Sequence, residues 1–361
     1  SDVYKRQLFY GSYPITPASS ILEGLASLKN FDVRTFQAED EIAAMGSVIG
    51  ASFGGCLAVT ASSGPGIALK SEGINLAIVM ELPMIIINVQ RGGPSTGLPT
   101  KTEQSDLLQV LFGRNGESPI PVVAPATPAE CFKWTIEAAR IAIRHMTPVF
   151  LLSDGYIANS SEPWLIPSSD EISDFEINRV DDPKDFHPYM RDKRTLSRPW
   201  ALPGNAGFEH RVGGLGKQNV TGNVSYDPED HEEIVKIRAS KINKVSEFMP
   251  DLEVDDPNDA GLLVIGWGGT YGSIREAVRQ CRESGYNVAQ AHLRMINPFP
   301  NNLGKVIAKF KTVLVPELNM GQLLLLLKSE FDTSFEGLNK VQGRPFKITE
   351  ISDKIISVLK K

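Results

Sequence analysis

The chain has 361 residues, which is enough for two domains with well-filled cores. Hydrophobic residues make up 42% of it and the formal net charge is −6. This balance argues against a general nucleic-acid binder because no basic stripe stands out, and no apolar run reaches the length of a membrane-spanning helix. Its three cysteines, Cys56, Cys131 and Cys281, lie far apart without Cys-x-x-Cys spacing. We therefore expect reduced thiols of a cytoplasmic protein, and any iron–sulfur cluster must be held by another chain.

Strands and helices alternate through the first part of the chain. Strands are predicted over residues 33–37, 57–61, 84–89, 122–124 and 149–152, with helices between most of them. Such alternation is typical of a mostly parallel sheet with helices on both faces.

Thr16 is the first candidate site residue. Pro17 follows it, and apolar residues at helical spacing come next, so the pattern predicts Thr16 as the N-cap of a helix. A capping residue lies at the positive end of its helix, where it can hydrogen-bond a small acid.

A second helix, predicted over 39–55, opens with Glu39, Asp40 and Glu41. Any of the three acids suits the positive end of that helix. Alternatively, Glu41 faces small apolar residues and shares a proton with a heterocyclic nitrogen. Spacing alone does not decide between these interpretations. Further on, Ser62–Gly66 is predicted as a turn that directs backbone N–H groups toward an anion.

The loop Gln90–Gln104 follows a buried strand and is rich in glycine, proline and hydroxyl side chains. Open α/β sheets bind their ligands at this end of their strands. Arg91 offers a fork of donors suited to a carboxylate or a phosphate, and Thr100 offers a hydroxyl. The alternative is a surface turn with a solvated arginine. We expect Thr16, Glu41, Arg91 and Thr100 to face the same edge of the sheet.

Regular alternation stops after residue 160 and resumes near residue 260. The segment between is predicted as an irregular arm that packs on another surface, with one helix over 228–248. A second α/β unit comes next, with strands over 262–267, 288–293, 312–315 and 345–348. Gly266–Gly272 faintly resembles a dinucleotide fingerprint with the wrong spacing, which leaves a nicotinamide site as a weak alternative. The predicted fold class is α/β: two doubly wound, mostly parallel sheet domains (8–160 and 260–361) joined by a long irregular segment (161–259).

Four ordered motifs carry a family resemblance. Tyr13-Pro-Ile-Thr-Pro-Ala-Ser19, Glu39-Asp-Glu-Ile-Ala-Ala-Met-Gly46, the loop Gln90–Gln104 and Glu317-Leu-Asn-Met-Gly-Gln-Leu323 resemble the alpha subunit of 2-oxoacid:ferredoxin oxidoreductases, closest to the 2-oxoglutarate branch. The likeness extends from Phe9 to the carboxyl end.

This resemblance implies a thiamine diphosphate enzyme whose cofactor lies between two subunits. The chain would supply a pyrimidine-binding domain and a transketolase-carboxyl-terminal-like domain, and a beta subunit would supply the diphosphate site, magnesium and an iron–sulfur cluster. Glu41 matches the family's acid on the aminopyrimidine ring. Thr16 and Arg91 match residues near the 2-oxoacid carboxylate, and Thr100 is carried over on a looser match.

The implied reaction is oxidative decarboxylation of 2-oxoglutarate with coenzyme A to succinyl-CoA and carbon dioxide, with electrons passed to ferredoxin. Pyruvate or a branched-chain 2-oxoacid is the near alternative, and a non-catalytic assembly subunit is the alternative from another class. Many relatives carry a gamma-type domain ahead of the first motif, so we expect such a domain or a separate gamma subunit. Residues 1–7 show no pattern that fits the rest of the chain.

Overall fold

A computed structural model of the chain describes residues 7–172, 175–178, 180, 182–257 and 259–361. Residues 1–6 of the patternless amino end lie outside the described part. Most of the described chain is organised on two β-sheets, one of seven strands and one of five. Within the described residues, none of the helices is both long and apolar enough to cross a membrane.

The seven-stranded sheet is parallel except at one edge. Its strand order is β10-β5-β6-β4-β3-β1-β2, and only the β10–β5 pair is antiparallel. The strands are β1 (Leu8–Ser12), β2 (Arg34–Gln37), β3 (Leu57–Ser62), β4 (Met84–Gln90), β5 (Val122–Val123), β6 (Pro148–Asp154) and β10 (Met295–Asn297). β4 lies in the middle and is buried throughout, as expected of a continuous aliphatic run covered on both faces.

The helices of the first half are α1 (Ser19–Ala26), α2 (Glu41–Phe53), α3 (Gly64–Leu69), α4 (Ser71–Met80), α5 (Leu107–Phe112), α6 (Pro128–His145) and α7 (Gly155–Asn159). The predicted start of α6 is confirmed: the Thr127 hydroxyl accepts a hydrogen bond from the Glu130 amide at 3.3 Å, and Pro128 opens the helix. The predicted turn Ser62–Gly66 is wrong. Helix α3 begins at Gly64, because Pro65 fits the first turn of a helix, where its missing N–H costs nothing.

The five-stranded sheet has the order β12-β11-β8-β9-β7, with only β7 antiparallel. Its strands are β7 (Val254–Asp255), β8 (Leu262–Trp267), β9 (Ala289–Leu293), β11 (Thr312–Glu317) and β12 (Ser334–Asn339), and its helices are α9 (Tyr271–Glu283), α10 (Leu303–Ile307), α11 (Gln322–Glu330) and α12 (Ile348–Leu359). The strand predicted over 345–348 is wrong. Glu350 accepts a hydrogen bond from the Lys347 amide at 2.7 Å and so starts α12 there.

The intervening arm (161–259) packs on the first half of the chain, around Glu81 and Ser52. Arg191 and Lys241, the latter on α8 (Pro228–Asn243), both pair with Glu81 at 2.6 Å. The Trp200 indole donates to the Ser52 carbonyl at 3.3 Å. The irregular segment is therefore held by buried polar contacts with helices of its own chain.

The two sheets share one apolar cluster. Met45 and Ile86 of the first half and Leu263, Trp267 and Leu323 of the second belong to the same contiguous set of buried side chains. Because apolar contacts and strand β10 both cross between the halves, the two sheets are joined through one core.

Candidate active site

Thr16 lies in a turn and not at a helix cap. The amides of Ala18 and Ser19 both donate to the Ile15 carbonyl, at 2.7 and 3.1 Å, and α1 begins only at Ser19. The predicted capping role of Thr16 is therefore wrong, because the turn closed on Ile15 separates it from the helix. The Thr16 side chain is exposed instead.

Arg91 is held by that same turn. Its side chain is only 7% exposed, and its Nη1 donates to the Thr16 carbonyl. The Arg91 carbonyl accepts from the Ser105 hydroxyl at 2.9 Å. Burial raises the pKa of nearby Asp106, and the Arg91 charge is among the factors that oppose the rise. Arg91 is therefore a positioned guanidinium and not a solvated surface arginine.

The three acids at the start of α2 take different positions. Asp40 is the cap: its Oδ1 accepts from the Ala43 amide at 2.7 Å, and both Asp40 and Glu39 are exposed. Glu41 is 8% exposed and faces Gly66, where a Cβ would lie 3.1 Å from Glu41 Oε1 and 2.0 Å from Ser62 Oγ. Since Asp40 serves the helix terminus, Glu41 is a buried carboxylate that is not needed as a cap, and the Gly66 backbone packs so closely on Glu41 and Ser62 that a side chain at position 66 would clash.

Lys70 is a buried charge that no pattern in the sequence singles out. It separates α3 from α4 and is only 1% exposed. Burial lowers the pKa of its ammonium group to about 8, against the opposing charges of Glu41 and Asp40. Lys70 Nζ and the hydroxyls of Ser62 and Ser63 are buried without a hydrogen-bond partner among the described residues. A set of unpaired polar atoms therefore surrounds Glu41.

Two clefts open on either side of the Arg91–Thr16 contact. Thr16 and Thr100 both line one of about 710 Å³, together with Lys101, Tyr156 and Arg344. Arg91 lines the other, of about 810 Å³, with Pro65, Glu103 and Asp106 among its neighbours. The structure thus brings Thr16, Arg91 and Thr100 together, whereas Glu41 lines neither cleft and lies behind Gly66.

The carboxyl half of the loop Gln90–Gln104 binds the second sheet. Gln104 Nε2 donates to the Trp267 carbonyl at 2.7 Å, and Gln104 exchanges two hydrogen bonds of 3.0 Å with Leu318. Glu317 in turn accepts from the amides of Leu323 and Leu324 at the start of α11. The loop therefore has two roles. Its first part, with Arg91, faces the clefts, as the sequence predicted, and its last part, with Gln104, contacts the second sheet, which the sequence did not predict.

The glycine turn at Gly266–Gly272 is filled by the first half of the chain. The Gly269 amide donates to Asp154 Oδ2 at 3.0 Å, and a Cβ at Gly269 would lie 2.5 Å from that oxygen. Gly268 has φ +54° and stands against Gln104. A nicotinamide dinucleotide would need this space, so the turn is an interface element.

Comparison with known proteins assigns the chain to a family. Residues 3–225 match the family described as pyruvate flavodoxin/ferredoxin oxidoreductase, thiamine diphosphate-binding, and residues 260–351 match the core domain II of pyruvate:ferredoxin oxidoreductase. The 2-oxoglutarate synthase subunit KorA of Archaeoglobus fulgidus is 34% identical over 318 residues, which cover 88% of this chain and 84% of that protein. The chain belongs to the 2-oxoacid:ferredoxin oxidoreductase family.

Two further relatives belong to the 2-oxoglutarate branch of this family. The 2-oxoglutarate oxidoreductase subunit KorA of Mycobacterium tuberculosis is 54% identical over 342 residues, covering 94% of this chain and 52% of that protein. The solved 2-oxoglutarate:ferredoxin oxidoreductase of Magnetococcus marinus, with 2-oxoglutarate, coenzyme A and succinyl-CoA bound, superposes with a TM-score of 0.93 at 34% identity, covering 98% of this chain and 62% of that one. This chain thus spans roughly half to two thirds of the length of these two relatives.

A more distant likeness concerns the fold alone. A split-gene transketolase superposes with a TM-score of 0.55 at 12% identity and covers 98% of this chain. The predicted α/β class with two mostly parallel sheets is confirmed.

The residues around Glu41 fit the thiamine diphosphate that the family name implies. An aminopyrimidine ring offers nitrogen donors and acceptors, and the unpaired Ser62, Ser63 and Lys70 atoms offer partners of both kinds. Because Gly66 has no side chain, its backbone can pack closely against the Glu41 carboxylate and Ser62. Among the described residues, no group of His, Cys, Asp or Glu side chains could hold a metal ion.

Proposed function

We propose that this chain is the alpha subunit of a ferredoxin-dependent 2-oxoacid oxidoreductase. The reaction is oxidative decarboxylation of 2-oxoglutarate with coenzyme A to succinyl-CoA and carbon dioxide, in which two electrons pass singly to ferredoxin. The observation that carries the proposal is the buried carboxylate of Glu41, with the unpaired Ser62 hydroxyl and the buried Lys70 ammonium nearby, in a chain that superposes with TM-score 0.93 on an enzyme with 2-oxoglutarate bound.

Glu41 is the proposed catalytic and cofactor-binding residue. Bound thiamine diphosphate supplies the carbon nucleophile and the electron sink for decarboxylation. The Glu41 carboxyl group would share a proton with a nitrogen of the pyrimidine ring. Its burial excludes water, which strengthens such a hydrogen bond because the surroundings have a low dielectric constant.

Thr16, Arg91 and Thr100 are the proposed substrate-binding residues. The Thr16 carbonyl fixes the Arg91 guanidinium, so one edge of the fork is used and the other remains for the carboxylate of the 2-oxoacid. The hydroxyls of Thr16 and Thr100 border the adjoining cleft and can orient the keto acid. A guanidinium fixed in advance loses little conformational entropy when substrate binds.

The site is complete only in a hetero-oligomer under this proposal. A beta subunit carries the diphosphate-binding domain, magnesium and an iron–sulfur cluster, and a gamma subunit or domain completes the assembly. The part of this chain around the first sheet (8–160) acts as the pyrimidine-binding domain, 161–259 as an arm, and 260–361 as the transketolase-carboxyl-terminal-like domain. Ferredoxin and coenzyme A are the further partners, and the reaction takes place in the cytoplasm.

A panel of 2-oxoacids assayed on the co-purified complex tests the proposal. We expect 2-oxoglutarate to reduce ferredoxin with a kcat/KM well above those of pyruvate and the branched-chain 2-oxoacids, and only when coenzyme A is present. If the complex favours pyruvate, the proposed substrate is wrong but the proposed type of reaction stands. A complex that acts on no 2-oxoacid would leave an assembly role for this chain.

A further inference from the structure

We propose that Lys101 and Arg344 bind the distal carboxylate of a dicarboxylic 2-oxoacid. This inference rests on the proposed function and adds the part of the site that would distinguish a dicarboxylate from pyruvate. Both cations line the 710 Å³ cleft that also contains Thr16 and Thr100. The two carboxylates of the substrate would then be held by separate groups, the first by Arg91 and the second by this pair.

The two cations are free to take a ligand. Both side chains are exposed, and among the residues that the structure describes neither has a hydrogen bond or ion pair through its charged group. The other ionisable side chains that line the cleft are Glu23 and Tyr156. The cleft therefore carries two positive charges against one negative charge, which favours an anion with charge-assisted hydrogen bonds.

The backbone keeps Arg344 beside Lys101. Gly343 has φ +65°, and a Cβ there would come within 2.8 Å of Lys101 Cβ, so the turn before Arg344 packs directly on Lys101. The buried Glu103 carboxylate accepts from the backbone amides of both Gly93 and Gly343. Glu103 thus connects the loop of Arg91 to the turn of Arg344.

The far side of that turn is anchored as well. Lys340 Nζ donates to the Pro345 carbonyl at 3.0 Å and to the Glu350 carboxylate at 2.7 Å. The Phe346 carbonyl accepts from the Ser273 hydroxyl at 3.0 Å. Arg344 therefore lies on a segment that is held in place on both sides. A binding residue needs such support, because its charged group must stay in position to distinguish one substrate from another.

The test compares substrates with and without the second carboxylate on the assembled complex. Arg344→Gln and Lys101→Gln should each lower kcat/KM for 2-oxoglutarate about 10- to 100-fold, mainly through KM, and leave 2-oxobutyrate within about twofold. Arg344→Lys should recover part of the loss. Arg91→Ala should lower kcat/KM for both substrates alike, and Arg275→Gln, an exposed arginine of α9, should change neither.

Two results would overturn the inference: an equal loss for both substrates in Arg344→Gln, or a rise in the Michaelis constant for coenzyme A without a change for 2-oxoglutarate. The second would mean that the cleft holds a phosphate of coenzyme A.

Calorimetric titration of the complex with glutarate separates this inference from the proposed function. Glutarate has both carboxylates and no keto group, so its binding needs no turnover. Weaker binding in Arg344→Gln would support the dicarboxylate site even if the complex decarboxylated no 2-oxoacid. Unchanged glutarate binding would count against the site even if 2-oxoglutarate proved to be the substrate.

Discussion

At the scale of single residues, the proposed chemistry depends on a carboxylate that its neighbours leave free. Asp40 satisfies the helix terminus, so Glu41 is not needed there. It is buried instead beside Gly66 and close to the unpaired Ser62 hydroxyl. Buried polar groups without partners are uncommon in folded proteins, and here several of them meet at one place.

Glu41→Gln keeps the size of the side chain and removes its ability to accept and return a proton. We expect 2-oxoglutarate decarboxylation by the assembled complex to fall about 10²- to 10⁴-fold, with the subunits still co-eluting in size-exclusion chromatography. Glu39→Gln is the matched control, because Glu39 is exposed at the same helix end. Near-normal turnover of Glu41→Gln would show that another acid carries the role.

Lys70 predicts a pH dependence of stability. Its pKa is about 8 in the folded chain, below the value of about 10.4 for an unfolded lysine. Below pH 8 both states are protonated, so the folded state bears the full cost of a buried charge. That cost disappears as the pH rises from 8 to about 10.4, and stability therefore increases across this window.

Lys70→Met removes this charge. We expect its free energy of unfolding at pH 7 to exceed that of the unaltered chain by about 1–3 kcal/mol and to rise less steeply above pH 8, where the buried Lys217 and Lys241 also lose their charge. Thermal unfolding at pH 7 and pH 9.5, without added cofactor, measures both effects. Lys309→Met, at an exposed lysine, should show neither. A destabilised Lys70→Met would instead mean that the ammonium group stabilises the fold.

At the scale of elements, the long arm is fixed by a buried ionic cluster. Burial alone would raise the pKa of Glu81, but the charges and hydrogen bonds of Arg191 and Lys241 outweigh it and hold that pKa well below its ordinary value. Because the folded pKa is lowered, the stabilisation is present at neutral pH and is lost as the pH falls below about 4.3, the unfolded value.

Glu81→Gln keeps the shape of the residue and leaves two buried cations without their counter-charge. We expect a loss of about 3–5 kcal/mol and faster proteolytic cleavage of the arm between residues 182 and 227. Glu232→Gln is the control, because the Glu232–Lys236 pair is exposed and solvent screens its charges. Equal effects of the two changes on the midpoint of thermal unfolding would contradict the anchoring role.

Elements with a local signal could be predicted from the sequence, and those that depend on distant contacts could not. The aliphatic run of β4 and the cap of α6 can be recognised within a few residues. β10 has three residues and exists because it pairs with β5, more than 170 positions earlier in the chain. β12 contains Gly337 and polar residues, so its sequence gives little sign of a strand until β11 pairs with it.

The residues of the candidate site also fall into those that the sequence indicated and those that depend on the fold. The residue types of the Gln90–Gln104 loop and the family motifs selected Thr16, Glu41, Arg91 and Thr100. The turn at Ile15, the buried Lys70 and the link from Gln104 to Trp267 depend on the fold, and no spacing in the sequence indicates them.

At the scale of the whole molecule, the second sheet supports the site and does not form a separate one. Gln104 and Asp154 connect the carboxyl edge of the first sheet to Trp267 and the glycine turn of the second. Both halves of the chain therefore contribute to the surface around Arg91, since Gly343 and Arg344 line the cleft that Thr16 and Thr100 also border. In the proposed complex the beta subunit covers this surface and supplies the diphosphate side of the site.

The most direct measurement is ferredoxin reduction by the chain alone, by the beta subunit alone and by the two combined, each with thiamine diphosphate, magnesium, coenzyme A and 2-oxoglutarate. A site shared between two subunits predicts that only the combination reduces ferredoxin and forms succinyl-CoA, and that the chain alone binds thiamine diphosphate weakly. Robust turnover by this chain without a beta subunit would contradict the shared site.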